Sequence, residues 1–111
     1  MTTTVAATGD LDLAVTARFQ DKLADEVRRR PATLIVDLTD VTFISSRGLA
    51  ILLEAVTTAH SHGIACAVIA SHHAVLRPIK ALRLERVLPV HTDHAAAEMS
   101  LAPRAFSPFE Q

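Results

Sequence analysis

The sequence contains no tryptophan and no tyrosine, and only four phenylalanines. Stacking platforms for bases and cages for quaternary cations depend on such rings, so both are disfavoured here. The core must instead be built from Leu, Ile, Val and Ala. A single cysteine, Cys66, cannot close an internal disulfide. It lies inside the apolar run IACAVIA, where a small core residue is the simpler reading and an intermolecular or redox-sensing thiol the other. No apolar run approaches the ~18 residues of a membrane span. The first ten residues, MTTTVAATGD, lack the basic and apolar regions of a secretory signal, so a cytoplasmic location is expected. Charge of one sign is missing too: 11 Lys and Arg against 12 Asp and Glu leave a formal net charge of −1. That balance offers no electrostatic reason to expect nucleic acid as a partner.

Signatures of catalysis are equally scarce. There is no GxGxxG and no GxxxxGK, so no nucleotide-binding turn is announced and no cofactor is expected. The serines of ISSRG lack the upstream glycine of a nucleophile elbow. A hydrolase using Ser46 as nucleophile would need a base and an oxyanion arrangement, and neither is visible, so no enzymatic activity is expected. Six histidines invite a metal site. His60 and His62 are two apart near a helix end, and His72 and His73 are adjacent, so each pair is expected to diverge. No Cys or acidic residue is spaced to complete a ligand set, and surface histidines at helix ends are the simpler reading.

What is present is a regular alternation of elements. Half of the 111 residues are apolar and 21% are charged, ordinary for one globular domain able to bury its own core. Residues 2–7 (TTTVAA) suggest a strand, ended by a turn at Gly9-Asp10. From Leu13 the pattern becomes helical, with Val15, Phe19, Leu23 and Val27 on one face. Asp12 is placed to open that helix, Arg28, Arg29 and Arg30 to suit its negative end, and Pro31 to stop it. The arginine run reads more simply as a solvated helix end than as a basic patch. Residues 33–38 (TLIVDL) suggest a buried strand, followed after a short connection by a helix over 46–61. Leu49, Leu52, Leu53 and Val56 form its apolar face, and Gly63 follows it as a C′ glycine.

Residues 64–70 are apolar without alternation, the pattern of a strand covered on both faces. A third helix is expected over 73–82, its regular part beginning near Arg77 so that Pro78 falls in the first turn. Residues 87–91 suggest a last short strand. Asp93 is a candidate cap for a final helix, HAAAEMSLA, which Pro103 terminates. The order β-α-β-α-β-α-β-α predicts an α/β domain over residues 1–102, with about four strands in a parallel or mixed sheet and about four helices. Residues 103–111 (PRAFSPFEQ) are expected to be a loosely held tail, unless Phe106 or Phe109 docks on the body.

Ser45 and Ser46 stand where the second helix begins. One of them is expected to cap it, a contribution of about 0.5–2 kcal/mol. A hydroxyl at a helix start can also be phosphorylated without breaking the fold. The added charge, about −1.5 to −2, suits the positive end of the helix dipole and disrupts a close-fitting protein interface.

The segment DLTDVTFISSRGLAILLEA resembles the signature of the STAS family of anti-sigma factor antagonists, a pattern like DLSGVxFIDSSGLGxL. GDLD at Gly9 to Asp12 is similar to the family's GELD turn. The stretch from Val75 to Val90, VLRPIKALRLERVLPV, is similar to its third helix and the following strand. The resemblance implies a bacterial regulator, not an enzyme, that binds an anti-sigma factor, often a serine kinase of the GHKL ATPase fold. It implies that this kinase phosphorylates one serine at the start of helix 2, switching binding off, and that a cognate phosphatase restores it. By position the acceptor falls on Ser46. The partner-binding set falls on Asp12, Ser45, Ser46, Arg47, Gly48 and Leu49. The alternative within the same resemblance is a scaffold or ligand-sensing module that uses Ser46 only as a cap. Three departures stand out: Ser45 replaces the usual Asp, Arg47 the second serine, and Arg83 the glycine of a "tGL" turn, which must then be built differently. Relatives also commonly carry one more strand before the GELD strand. Its absence would leave an open sheet edge and a possible homodimer surface.

Overall fold

A computed structural model of the chain describes residues 2–101. The elements run β1 (Thr2–Leu11), α1 (Leu13–Arg28), β2 (Thr33–Ile44), α2 (Ser46–Ser61), β3 (Ala65–Ile69), α3 (His73–Ala81), a 3₁₀ turn (Leu84–Arg86), β4 (Val90–His91) and α4 (His94–Leu101). The four strands form one sheet in the order β1-β2-β3-β4, and every pair is parallel. The α/β alternation expected from the sequence is therefore the observed architecture. The expected tail, with Phe106 and Phe109, lies outside the described residues. Among the described residues β1 forms one edge of the sheet, with no strand beyond it.

Side-chain alternation along β2 divides the core. Leu34, Val36 and Leu38 join the main apolar cluster with Phe19, Leu23, Leu52, Val56, Val75 and Ile79, side chains from α1, α2 and α3. Ile35 points the other way and meets Ala67, Ile69 and Ala97, so α4 covers the second face. Asp37 shares that second face. Its carboxylate accepts hydrogen bonds from the backbone N–H of Thr39 (2.9 Å) and from the Thr39 hydroxyl, and meets Nε2 of His94 at 2.8 Å. Burial pushes the Asp37 carboxyl up, but the Thr39 and His94 contacts outweigh it and hold the group below its ordinary value of 3.8.

Several elements differ from the sequence expectation. β1 does not stop at Gly9-Asp10. Gly9 takes a left-handed φ of +75°, and the register against β2 shifts between Ala6 and Thr8 and again between Gly9 and Asp10. The glycine therefore makes an irregularity inside the strand rather than a turn after it. β2 likewise continues past Leu38 to Ile44, leaving Ser45 as the whole connection to α2. Its second half is hard to recognise because Leu38, Val41 and Ile44 are buried at every third position, not every second. That half pairs with β1 alone, since β3 reaches only as far as Asp37. Thr42 Oγ1 donates to Asp10 Oδ1 across the pair at 2.8 Å.

Helix α3 begins at His73, so Pro78 sits inside it rather than in its first turn. The proline forfeits the amide that would bond the Ala74 carbonyl. Burial of Val75 and Ile79 holds the helix nonetheless, and His72 caps it by accepting from the Ala74 N–H through Nδ1, 3.2 Å. The last strand shortens from the expected 87–91 to Val90–His91: the Val87 and Leu88 amides bond back to the Leu84 carbonyl, at 2.9 and 2.7 Å, and Pro89 has no amide to offer a ladder. Arg83 enters that turn in the left-handed region, φ 55° and ψ 37°. The turn is thus built in a conformation that glycine adopts freely, and the arginine bears the steric cost.

Other caps follow the sequence reading. Gly63, φ +75°, closes α2 with Gly63 N–H donating to His60 O and Ile64 N–H to Ala59 O, a Schellman arrangement. Asp93 Oδ1 accepts from the Ala96 N–H at 2.7 Å and opens α4. At the end of α1, Arg28 pairs with Asp25 and Arg29 with Glu26, so two of the three arginines are locally answered by acids.

Gly48 decides how near α2 can come to β1. A Cβ there would lie 3.1 Å from Ile44 Cγ1 and 3.3 Å from the Leu11 carbonyl oxygen. Alanine would set about 1 kcal/mol of helix propensity against these tight contacts of its Cβ, and a branched side chain must push the strands away. We expect Gly48→Val to cost roughly 2 kcal/mol by overpacking, about 10 °C in Tm for a domain of this size. A melting temperature equal to wild type by circular dichroism would contradict the tight approach.

The Asp37 cluster predicts a pH dependence. A carboxyl whose folded pKa lies below its unfolded value stabilises the fold fully above the unfolded pKa, and the contribution disappears as pH falls through the folded value. Asp37→Asn should therefore lower stability by about 1–2 kcal/mol at neutral pH, and the gap from wild type should close below roughly pH 4. Thermal melts of both proteins across that range provide the check.

Candidate functional site at the start of α2

Parallel pairing of β1 with β2 aligns Leu11 with Ile44, so both strands deliver their following helices to the same end of the sheet. The backbones are joined there: Ser45 N–H donates to Leu11 O at 3.0 Å. Asp12, next in the chain, is exposed and accepts from the Val15 and Thr16 amides through its carbonyl, at 3.2 and 3.0 Å. The β1–α1 corner and the start of α2 are therefore neighbours, though 34 residues separate Asp12 from Ser46 in sequence.

The two serines have different jobs. Ser45 is the N-cap, extended at φ −75° and ψ 165°. Its Oγ accepts from the Gly48 N–H at 3.0 Å, and its carbonyl accepts from the Leu49 N–H at 2.9 Å. Ser46 is the first helical residue and exposed, and its hydroxyl makes no hydrogen bond among the described residues. Ser46 is therefore not the cap, as the alternative scaffold reading would have it: the extended backbone of Ser45 aims that side chain back at the Gly48 amide. The amides of Ser46 and Arg47 precede the first intrahelical bond, and the positive end of the helix dipole is concentrated on them.

Of the remaining residues singled out by sequence, Arg47 is exposed, whereas Gly48 and Leu49 are buried under the first turn. Leu49 still reaches the wall of a groove of about 430 Å³ lined by Ser45, Ser46, Ala50, Leu53, Pro78, Leu82 and Leu84, besides Ile44. Sequence reasoning did not find this groove. Its two walls belong to α2 and to α3 with its following turn, and how these pack side by side is not a property of either segment's own sequence. Leu82 is 63% exposed, a large apolar side chain left in solvent beside the serine pair.

No group of three His, Cys, Asp or Glu side chains able to hold a metal occurs among the described residues. His60 and His62 are exposed at the end of α2. His72 and His73 do not diverge as expected. Their rings stack, with centroids 5.1 Å apart and planes 17° apart, because the capping bond to Ala74 turns the His72 ring. Cys66 is half-buried against the main core, and burial pushes its thiol up to about 11. It is therefore protonated at neutral pH and poorly nucleophilic. A larger hollow of about 870 Å³ lies beside Cys66, Val87 and Leu101 and shares no lining residue with the groove at Ser46. Among the described residues no helix is long and apolar enough to cross a membrane.

The fold is similar to several solved structures. An anti-sigma factor antagonist from Mycobacterium paratuberculosis superposes with a TM-score of 0.85 at 24% identity, over 92% of this chain and 86% of that one. The anti-sigma factor antagonist SpoIIAA in its unphosphorylated form gives 0.72 at 15% identity, over 89% and 87%. The STAS domain of a SulP transporter from Vibrio cholerae gives 0.69 at 19% identity, over 89% and 79%. No curated protein sequence matches significantly. The STAS domain family model matches residues 2–97, from the first strand into α4, and on that match the chain belongs to the STAS domain family.

Proposed function

We propose that this protein is an anti-sigma factor antagonist, and that phosphorylation of Ser46 switches it off. The observation that carries the reading is the division of labour between the serines. Ser45 spends its hydroxyl on the helix, and Ser46 presents a free, exposed hydroxyl one residue later. A phosphoryl group on Ser46 would meet the unbonded first-turn amides and the positive dipole end, with Arg47 alongside. The fold would keep its cap, so modification alters the surface without melting the helix.

The partner in this reading is an anti-sigma factor that is also a GHKL-type serine kinase, with a cognate phosphatase to reset the switch. Binding would use the exposed Asp12, Ser46 and Arg47, with Ser45, Gly48 and Leu49 shaping the surface from beneath. The fold of the SpoIIAA relative and its description as an unphosphorylated form support this reading. Its setting would be cytoplasmic. The open edge of β1, uncharged from Thr2 to Gly9, supports homodimer formation by strand pairing as an accompanying property.

Likeness to a transporter domain favours a second reading, a STAS module that binds constitutively. Incubation with candidate partner kinases and ATP, followed by mass spectrometry, separates the two. Wild type and Ser45→Ala should gain one phosphate on Ser46, and Ser46→Ala should gain none. Ser45→Ala should lose about 1 kcal/mol of stability with its cap. Ser46→Asp should bind the anti-sigma factor at least about a hundredfold more weakly than wild type, as a charge buried in an interface demands. Equal binding by Ser46→Asp would favour the constitutive module.

A further inference from the structure

The groove beside Ser46 has a composition that specifies its occupant. One wall is α2, contributing Leu49, Ala50 and Leu53, and the other is α3 with its following turn, contributing Pro78, Leu82 and Leu84. At about 430 Å³ it has room for more than one aliphatic side chain, and Leu82 at its wall is 63% exposed. The charges of the α3 wall are one-sided. From His72 to Leu84 there are three cations, Arg77, Lys80 and Arg83, all exposed, and no Asp or Glu. Arg47 adds a fourth exposed cation next to Ser46. The acids nearby do not line it: Glu54 lines a separate hollow between α1 and α2, Glu85 lines the hollow by Cys66, and Asp12 stands at the β1–α1 corner outside the groove's lining. The positive end of the α2 dipole opens on the same groove, because Ser46 is part of its lining.

Arg83 strengthens the case. It holds a left-handed conformation, φ 55°, in which glycine would be free of strain. An arginine there costs stability, as it does at Arg30, φ 50°, and Arg83 sets an exposed cation between the groove residues Leu82 and Leu84.

We propose that the groove receives an acidic amphipathic segment of the partner protein, with aliphatic side chains seated between α2 and α3 and carboxylates toward Arg47, Arg77 and Arg83. This rests on the reading of the protein as a switched binding module and names what the switched surface recognises. Phosphorylation of Ser46 then acts at the groove itself. It replaces the positive helix end with about −1.5 to −2 charges, and an acidic segment is repelled by the group that a basic one would welcome.

The test uses two synthetic helical peptides with leucine at i, i+3, i+4 and i+7, one carrying glutamate at the other positions and one carrying lysine. Fluorescence anisotropy with the full chain should show the glutamate peptide binding at least about tenfold tighter, with affinity falling as salt is raised. Leu82→Ser and Arg83→Gly should each weaken it at least about fivefold, and Ser46→Asp more. Arg83→Gly should at the same time raise the melting temperature, so its loss of binding cannot be unfolding. The proposal is overturned if neither peptide binds, if the lysine peptide binds equally well, or if Leu82→Ser and Arg83→Gly both bind as wild type. It is also overturned if phosphatidylserine vesicles capture the protein and the glutamate peptide does not, which would assign the surface to a membrane. Self-association broken by Leu82→Ser, without peptide binding, would assign it to a second copy. Should Ser46→Asp abolish anti-sigma factor binding while Leu82→Ser and Arg83→Gly leave it intact, this inference fails and the switch stands. Should the peptides discriminate as expected while no anti-sigma factor binds, the groove chemistry stands and the identity of the partner falls.

Discussion

The close approach of the end of β1 to the start of α2 is the constraint on which the rest of the site depends. The Leu11 carbonyl takes the Ser45 amide at 3.0 Å, and Gly48 leaves the space that this contact requires. Because Ser45 is held by its backbone in an extended conformation, its side chain folds back onto Gly48 as a cap. The next residue is then the first with helical geometry, and its hydroxyl makes no hydrogen bond among the described residues. A single backbone contact between two parallel strands' ends thus separates a structural serine from a presented one.

Electrostatics give that presentation its meaning. A helix N-terminus tolerates added negative charge, so a phosphate on Ser46 would be compatible with the fold that displays it. The same charge would act against Arg47 and the positive helix end beside it. Under the proposed function, a modification that the fold tolerates and that alters the partner surface would meet both requirements of a binding switch. By contrast Cys66 is half-buried and protonated, and the paired histidines are occupied in stacking and capping.

The sequence departures at Ser45 and Arg83 have specific structural answers. Ser45 stands where the family pattern has an aspartate, and both side chains can cap a helix, so the cap survives the loss of a charge. Arg83 stands where the pattern has a glycine, and the backbone keeps the left-handed turn regardless. The first change is nearly free. The second is strained, and it leaves the arginine next to the exposed Leu82.

Element types were legible because local rules sufficed for them. The fourfold spacing in α1, the leucines of α2, Gly63 after its end and Asp93 before α4 all act within a few residues of themselves. The unalternating run of β3 likewise announced a strand covered on both faces, and the ISSRG segment announced the serine site. What the sequence could not decide was anything set by a partner distant in the chain. β2 runs on to Ile44 because β1 pairs with it there, and Gly9 is an irregularity rather than a turn because that pairing continues through it. Which serine caps depends on the bond from Ser45 to Leu11. The groove exists only because α3 packs beside α2, with burial of Val75 and Ile79 overriding the helix-breaking tendency of Pro78. Propensity and periodicity are properties of neighbours, whereas pairing register and surface shape are properties of the whole packed chain.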